Sequence, residues 1–403
     1  MNTTSTTVKD QLEEQVPKVE VVAVVKFLFC FFIMGLSLLA QTLPDDELQV
    51  NLNTYFDNFG VAIAYPAVSV TKQVAPNTSV SGRYLVDVIS AASMRSLFKV
   101  DGVTSASKKT EGGDAFPNEV RHEFTGGITQ AIGDVRASIN AIYSTENDYY
   151  SRTLAADISI PFALKNTILS FGVVKSWDIV APDNRPWEKE KNVLSLNAGL
   201  TQNITKSWLI QLNLWYSNNT GFLSDAYQVI GINTLGRVKF YSPAYPDNRD
   251  RRAAGIRTVF ALDDISSIQL GYRYYWDTWD IKSNTANILY QRYLSENIRG
   301  VFGWRIYNQS KAYFFLPEYT APLELMAVDS KLNESVTNEF EVSLKFNSEI
   351  FKSTPILRSI MMETAELSVG LNFYMRNTVT PDWHSRYRML YAYIATIGYR
   401  YKF

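Results

Sequence analysis

A series of stretches in this chain alternates apolar and polar residues one by one, and that period of two constrains the fold more than any other feature. SWLIQLNLWYS (207–217) sets Trp208, Ile210, Leu212, Leu214 and Tyr216 against Ser207, Gln211, Asn213 and Ser217. SIQLGYRYYWD (267–277), TNEFEVSLKF (337–346), AELSVGLNFYMR (365–376) and LYAYIATIGYRYKF (390–403) repeat the pattern. Successive side chains of a strand point to opposite faces, so each stretch has one oily face and one polar face. Such strands suit either a water-soluble sandwich or a barrel wall with lipid outside and water inside.

The aromatic residues choose between them. They make up 13% of the chain, with 24 Tyr and 22 Phe, and they gather near the strand ends. Membrane barrels place aromatic girdles there, whereas a sandwich in water carries charges on its outer faces and closely packed aliphatics within. The expected fold is all-β: a transmembrane antiparallel up-and-down barrel of about 16 strands, with long extracellular loops and short periplasmic turns. The alternation predicts strands at 48–57, 61–75, 79–91, 117–132, 134–146, 148–162, 166–179, 192–203, 206–217, 250–263, 265–281, 283–296, 298–313, 335–348, 362–379 and 387–403. AIGDV, PFALKN, QNITKS and LDDIS read as short turns; residues 93–116, 181–192, 217–250, 316–334 and 377–385 read as long loops on the opposite side. The link at 348–362 is a long exception on the turn side.

The one continuous apolar run, FLFCFFIMGLSLLA (27–40), is shorter than a membrane-spanning helix and has the length of a signal-peptide core. Residues 1–40 are therefore expected to be an export signal with an extended leader, and residues 41–403 the barrel, placed in the outer membrane of a Gram-negative bacterium. Cys30, the single cysteine, belongs to that signal and excludes an intramolecular disulfide framework. The net charge of −1 provides no basic excess for nucleic acid. The expected partners are outer-membrane lipid and the outer-membrane assembly machinery, with a periplasmic protein as a further candidate. The final strand, with Tyr399, Tyr401 and Phe403, is similar to the carboxy-terminal aromatic signal that this machinery reads.

On the inferred register Arg257, Arg273, Asp277, Arg299, Arg305, Glu339, Glu341, Lys345, Glu366, Arg376 and Arg400 point inward. Charges in a barrel interior need water or partners. Two arrangements meet that need: a wet lumen that selects solutes by charge, or rows that pair across the interior and plug it. The primary reading is a non-catalytic channel or transporter for small polar solutes. The alternative is an outer-membrane scaffold for periplasmic or surface partners. A hydrolytic site would need a nucleophile beside a histidine base. The candidates are His122 with Ser144 or Ser151, and His384 with Asp382 and Ser385, but no supporting motif accompanies them. Asp183, Glu188, Asp225, Asp247 and Asp250 supply oxygens for calcium without the spacing of a calcium loop, so no metal and no cofactor are expected.

Several runs resemble an uncharacterised family of bacterial outer-membrane barrels catalogued as a domain of unknown function: VDVISAAS (86–93), YSTENDYYSR (143–152), GFLSDAYQV (221–229), NRDRRAAGIRTVF (248–260), GYRYYWDTWDIKSNT (271–285) and WRIYNQSKAYFF (304–315). Their order and spacing cover most of the chain after the signal. The chain departs from the family pattern at Ala91 (usually Gly), Ala226 (usually Pro) and Asn284 (usually His), the last of which removes a metal or proton role there. The resemblance implies architecture above all. Its gene neighbourhood of lipoproteins, thioredoxin-like proteins and flavin-transferring enzymes implies a link to exported redox or flavin handling.

Overall fold

A computed structural model describes residues 43–91, 119–182, 185–352, 361–381, 385 and 387–403. The expected export signal with Cys30, the whole 93–116 loop, Asp183, Asp382 and His384 lie outside the described residues.

In chain order the first strands are β1 (Glu47–Asp57), β2 (Val61–Ala75), β3 (Thr78–Ala91), β4 (Glu119–Ile132), β5 (Val135–Thr145), β6 (Tyr149–Phe162), β7 (Thr167–Val180), β8 (Lys189–Thr205) and β9 (Trp208–Gly221). They continue as β10 (Ile230–Thr234), β11 (Arg237–Tyr241), β12 (Asn248–Ala261), β13 (Ser266–Asp277), β14 (Lys282–Ser295), β15 (Ile298–Gln309), β16 (Ser335–Asn347), β17 (Glu366–Thr378) and β18 (Met389–Lys402). Among the described residues 16 strands close into one antiparallel barrel, as the alternation predicts. β10 and β11 form a separate hairpin between β9 and β12. β1 pairs with β18 along its whole length, from Glu47 opposite Lys402 to Asp57 opposite Ala392.

Closure gives every strand two neighbours, the condition for a sheet to sit in hydrocarbon, where unpaired backbone groups find no water. Directly paired residues share a face. The face that carries Leu52, Val70, Phe124, Leu154, Phe171, Leu214, Phe302, Val342, Leu371 and Ile397 is apolar and exposed throughout. It is the outer wall. The other face is polar, and it bounds a cavity lined from β4, β6, β8, β9, β12, β13, β14 and β15, strands far apart around the barrel; it is the lumen.

Links at the end that carries Glu47 and Lys402 are short, such as 133–134, 206–207 and 296–297, with 348–365 the exception. The longer links, 181–188, 222–247, 310–334 and 379–388, lie at the distal end. Two expected strands stop early there: 265–281 ends at Asp277 and 298–313 at Gln309. The apolar residues beyond those points, Trp279, Ile281 and Ala312, are buried with Phe314, Phe315, Ala327 and Leu332 against Ala253 and Tyr275 of the inner wall. A second cluster joins Ile230 and Ile232 of the β10–β11 hairpin to Tyr319 and Met326. Ala244 and Met326 exchange backbone hydrogen bonds of 3.0 and 2.9 Å, and the Tyr319 hydroxyl accepts from Ala327 N and donates to Phe314 O, both at 2.8 Å. The links 222–247 and 310–334 thus pack into one cap, which rests on the inner faces of β12 and β13.

Two distal hairpins share one local design. Asp57 Oδ1 accepts from the backbone N–H groups of Phe59 and Val61 (2.9 and 3.0 Å), while Oδ2 takes the Tyr55 hydroxyl. Asp277 repeats this with Trp279, Ile281 and Tyr275. The third turn residue is left-handed in both: Gly60 at φ 85 and Asp280 at φ 64. A left-handed side chain costs about 1–2 kcal/mol, less for Asp, and Gly avoids it. Asp280→Gly is therefore expected to hold or raise stability by up to about 1 kcal/mol, and Gly60→Val to lower it by about 1–2 kcal/mol. Urea-driven unfolding of the refolded barrel is the check; an equal loss in both variants would refute the shared turn geometry.

Candidate functional site

All eleven inward candidates fall on the lumen face by register. Near the termini Glu366 faces Arg299 at 3.6 Å and Lys345 at 3.8 Å, and Arg400 meets Glu47 at 2.6 Å. Midway Arg305 pairs with Glu339 at 3.2 Å, and Glu339 also accepts from Asn372 Nδ2 at 2.9 Å. Arg257 Nε donates to Gln211 at 2.6 Å, and Arg376 approaches Ser330 of the cap at 3.5 Å. Among the described residues Glu341 and Arg273 form no ion pair. Asp277 departs from a lumen-lining role. Its side chain is 0% exposed, sealed beneath the turn 278–281, where it holds Arg249 with a 2.9 Å bond from Nε.

Among the described residues these lumen pairs run along the wall, between neighbouring strands for Lys345–Glu366, Arg400–Glu47 and Arg305–Glu339 and across β16 for Arg299–Glu366. Each is partly exposed and contributes about 0–1 kcal/mol. The wall between them is low in profile. The side-chain amides of Asn140, Asn197 and Asn287 stand where a Cβ would lie at Gly127, Gly172 and Gly271, as Ser368 Oγ and Asn51 Oδ1 do at Gly398, so a side chain there would have to displace them.

At the distal end the wall and the cap enclose a cavity of about 710 Å³. Its walls bring Arg121, Tyr149, Lys191, Arg249, Arg251, Arg273 and Tyr307; the cap brings Asp225, Tyr227, Tyr245, Asp329 and Lys331. Arg121 pairs with Asp87 and with Glu146 (3.7 Å), Lys191 lies 3.7 Å from Asp178, and the Tyr227 hydroxyl donates to Asp148. Asp225 accepts from the N–H groups of Tyr227 and Gln228 at 2.8 and 2.9 Å. Burial pushes the Asp329 carboxyl above the usual carboxylate range, against the lowering effect of Lys331. Trp215 and Tyr275 flank Ala253 on the inner wall, and the guanidiniums of Arg251 and Arg273 lie 5.3 to 5.9 Å from both ring centres.

Parity alone marks Arg249 and Arg251, which share the face of Arg257 within NRDRRAAGIR, yet the reading above left them out along with Trp215, Arg121 and Lys191. Of the hydrolytic candidates only the His122 group lies among the described residues. His122 faces outward and its Nδ1 lies 2.9 Å from the Tyr84 hydroxyl, whereas Ser144 and Ser151 face the lumen. Asn284 is also on the outer wall, where it accepts from the Tyr272 hydroxyl at 2.6 Å. Among the described residues no three Asp, Glu, His or Cys side chains form a group able to hold a metal ion.

The family profile described as "Protein of unknown function (DUF3570)" matches residues 34–191 and 183–382. The chain belongs to this family. No curated protein matches this DUF3570 member in sequence. Comparison with solved structures returns the siderophore receptor PirA from Acinetobacter baumannii, at 11% identity over 83% of this chain and 53% of that one, with a TM-score of 0.45. OpdK from Pseudomonas aeruginosa, solved with vanillate, shares 10% identity over 89% of this chain and 98% of its own, with a TM-score of 0.45. A bacterial polysaccharide outer membrane secretin shares 7% identity over 89% and 98%, with a TM-score of 0.49. The DUF3570 chain spans about half the length of the siderophore receptor it matches.

Proposed function

We propose that this DUF3570 protein is an outer-membrane channel or transporter for small polar solutes. The observation that carries the reading is the arrangement of the lumen face: glycines overlaid by short polar side chains, and ion pairs that run along the wall. A barrel of this strand number has an interior wide enough for water and solute unless loops fill it. Among the described residues the cap stands at the distal mouth, and in this reading it acts as the gate. Tyr399, Tyr401 and Phe403 serve as the recognition signal for the assembly machinery, and the apolar outer wall meets outer-membrane lipid.

Purified protein in a planar bilayer is expected to show steady single-channel conductance, and its liposomes to swell in small polar solutes. A folded barrel that carries no current and gives no swelling would overturn the reading. A stoichiometric partner recovered with such a barrel from native membranes would point to the scaffold role instead.

A further inference from the structure

Resting on the channel reading, we infer that the distal cavity binds oxyanionic solutes, carboxylate or phosphate, between the guanidiniums of Arg251 and Arg273. The cavity's other wall cations already have carboxylates: Arg121 has Asp87 and Glu146, Lys191 has Asp178, and Arg249 has the sealed Asp277. Arg251 and Arg273 have none among the described residues. Arg251 Nε donates to the Tyr275 hydroxyl at 3.1 Å, and both guanidiniums lie near the Trp215 and Tyr275 rings.

The acidic groups of the cavity are committed elsewhere. Asp148 accepts from Tyr227, Asp225 from two backbone N–H groups, and Asp329 from Lys331 N at 2.9 Å. Two arginines without an ion-pair partner among the described residues therefore line the cavity, and none of its carboxylates pairs with either. A cation held against an aromatic ring keeps its orientation at little entropic cost. Its remaining N–H donors form the fork that fits a carboxylate or phosphate in two parallel bonds. An anion of this kind gives Arg251 and Arg273 the ion-pair partner that they lack among the described residues, in a cavity of about 710 Å³.

The test is calorimetric titration of the refolded full chain in detergent with sodium benzoate and, separately, inorganic phosphate. At least one anion is expected to bind, with affinity reduced at least tenfold in the double variant Arg251→Gln, Arg273→Gln and unchanged in Arg292→Gln on the outer wall. Benzoate binding alone would name carboxylates as the class, and phosphate binding alone would name phosphates. The variant Arg273→Gln by itself, at an exposed side chain, guards against a folding defect and is expected to lose part of the affinity. Wild-type protein that binds neither anion, or arginine variants that bind as well as wild type, would overturn the inference. The two readings fail separately. Arginine-dependent binding by a barrel that never conducts leaves the anion site standing and removes the channel; conductance without anion binding does the reverse.

Discussion

Asp277→Ala is expected to cost about 3–5 kcal/mol of unfolding free energy, the loss that follows when one member of a buried ion pair is removed. The side chain of Asp277 is 0% exposed and that of Arg249 is 16% exposed, so the guanidinium would be left with little water to replace its partner. The Tyr275 hydroxyl and the N–H groups of Trp279 and Ile281 lose their acceptor at the same time. Asp57→Ala, in the matching hairpin without an arginine, is expected to cost only about 1–3 kcal/mol. Urea titration followed by the gel mobility of folded and unfolded barrel measures both. Equal losses at the two positions would mean that Arg249 adds nothing, and the buried pair would have to be given up as the anchor of the β13–β14 turn.

The second large effect is expected in the cap. Phe314 is buried and meets Trp279, Tyr245 and Tyr313 at ring separations of 5.1 to 5.4 Å. Phe314→Ala removes the ring that joins these contacts and is expected to cost the cap about 3–5 kcal/mol. The strands are paired independently of this cluster, so the barrel is expected to remain closed while the segment 310–334 becomes open to protease. If the cap gates the lumen, single-channel conductance rises in the same variant. A cleavage rate and conductance equal to those of the parent protein would show that the cap neither depends on Phe314 nor obstructs the mouth.

The barrel was legible because lipid and water enforce the period of two on every strand. The same rule explains the errors. Alternation cannot separate residues that face lipid from residues that face a packed cap, so Trp279 and Ile281 were read as a strand continued past Asp277. The β10–β11 hairpin was missed for a different reason. Its turn is built on Leu235 at φ 53 and Gly236 at φ 79, and Leu is not a residue that announces a left-handed turn. Parity set the face, which is why all eleven inward candidates lie on one side of the sheet, but it could not show that Asp277 is sealed beneath its turn. Their partners did not follow, because Arg305 with Glu339 requires the register across the long 310–334 link, and Arg400 with Glu47 the register across the closing seam. The pocket around Arg251 and Arg273 needed the cap as well, and a cap assembled from two loops leaves no periodic trace.

The seam between β1 and β18 makes folding a matter of timing. Glu47 and Arg400, bonded across it, are 353 residues apart in sequence. Contacts of such range are slow to form, since the entropy of bringing the ends together is lost before any pairing repays it. Until that contact forms, β1 and β18 are two open edges, and open edges invite pairing with other chains. The interval before closure is therefore the period in which this protein is most exposed to aggregation, and a helper that holds β1 until β18 reaches it would shorten the danger without contributing to the finished barrel.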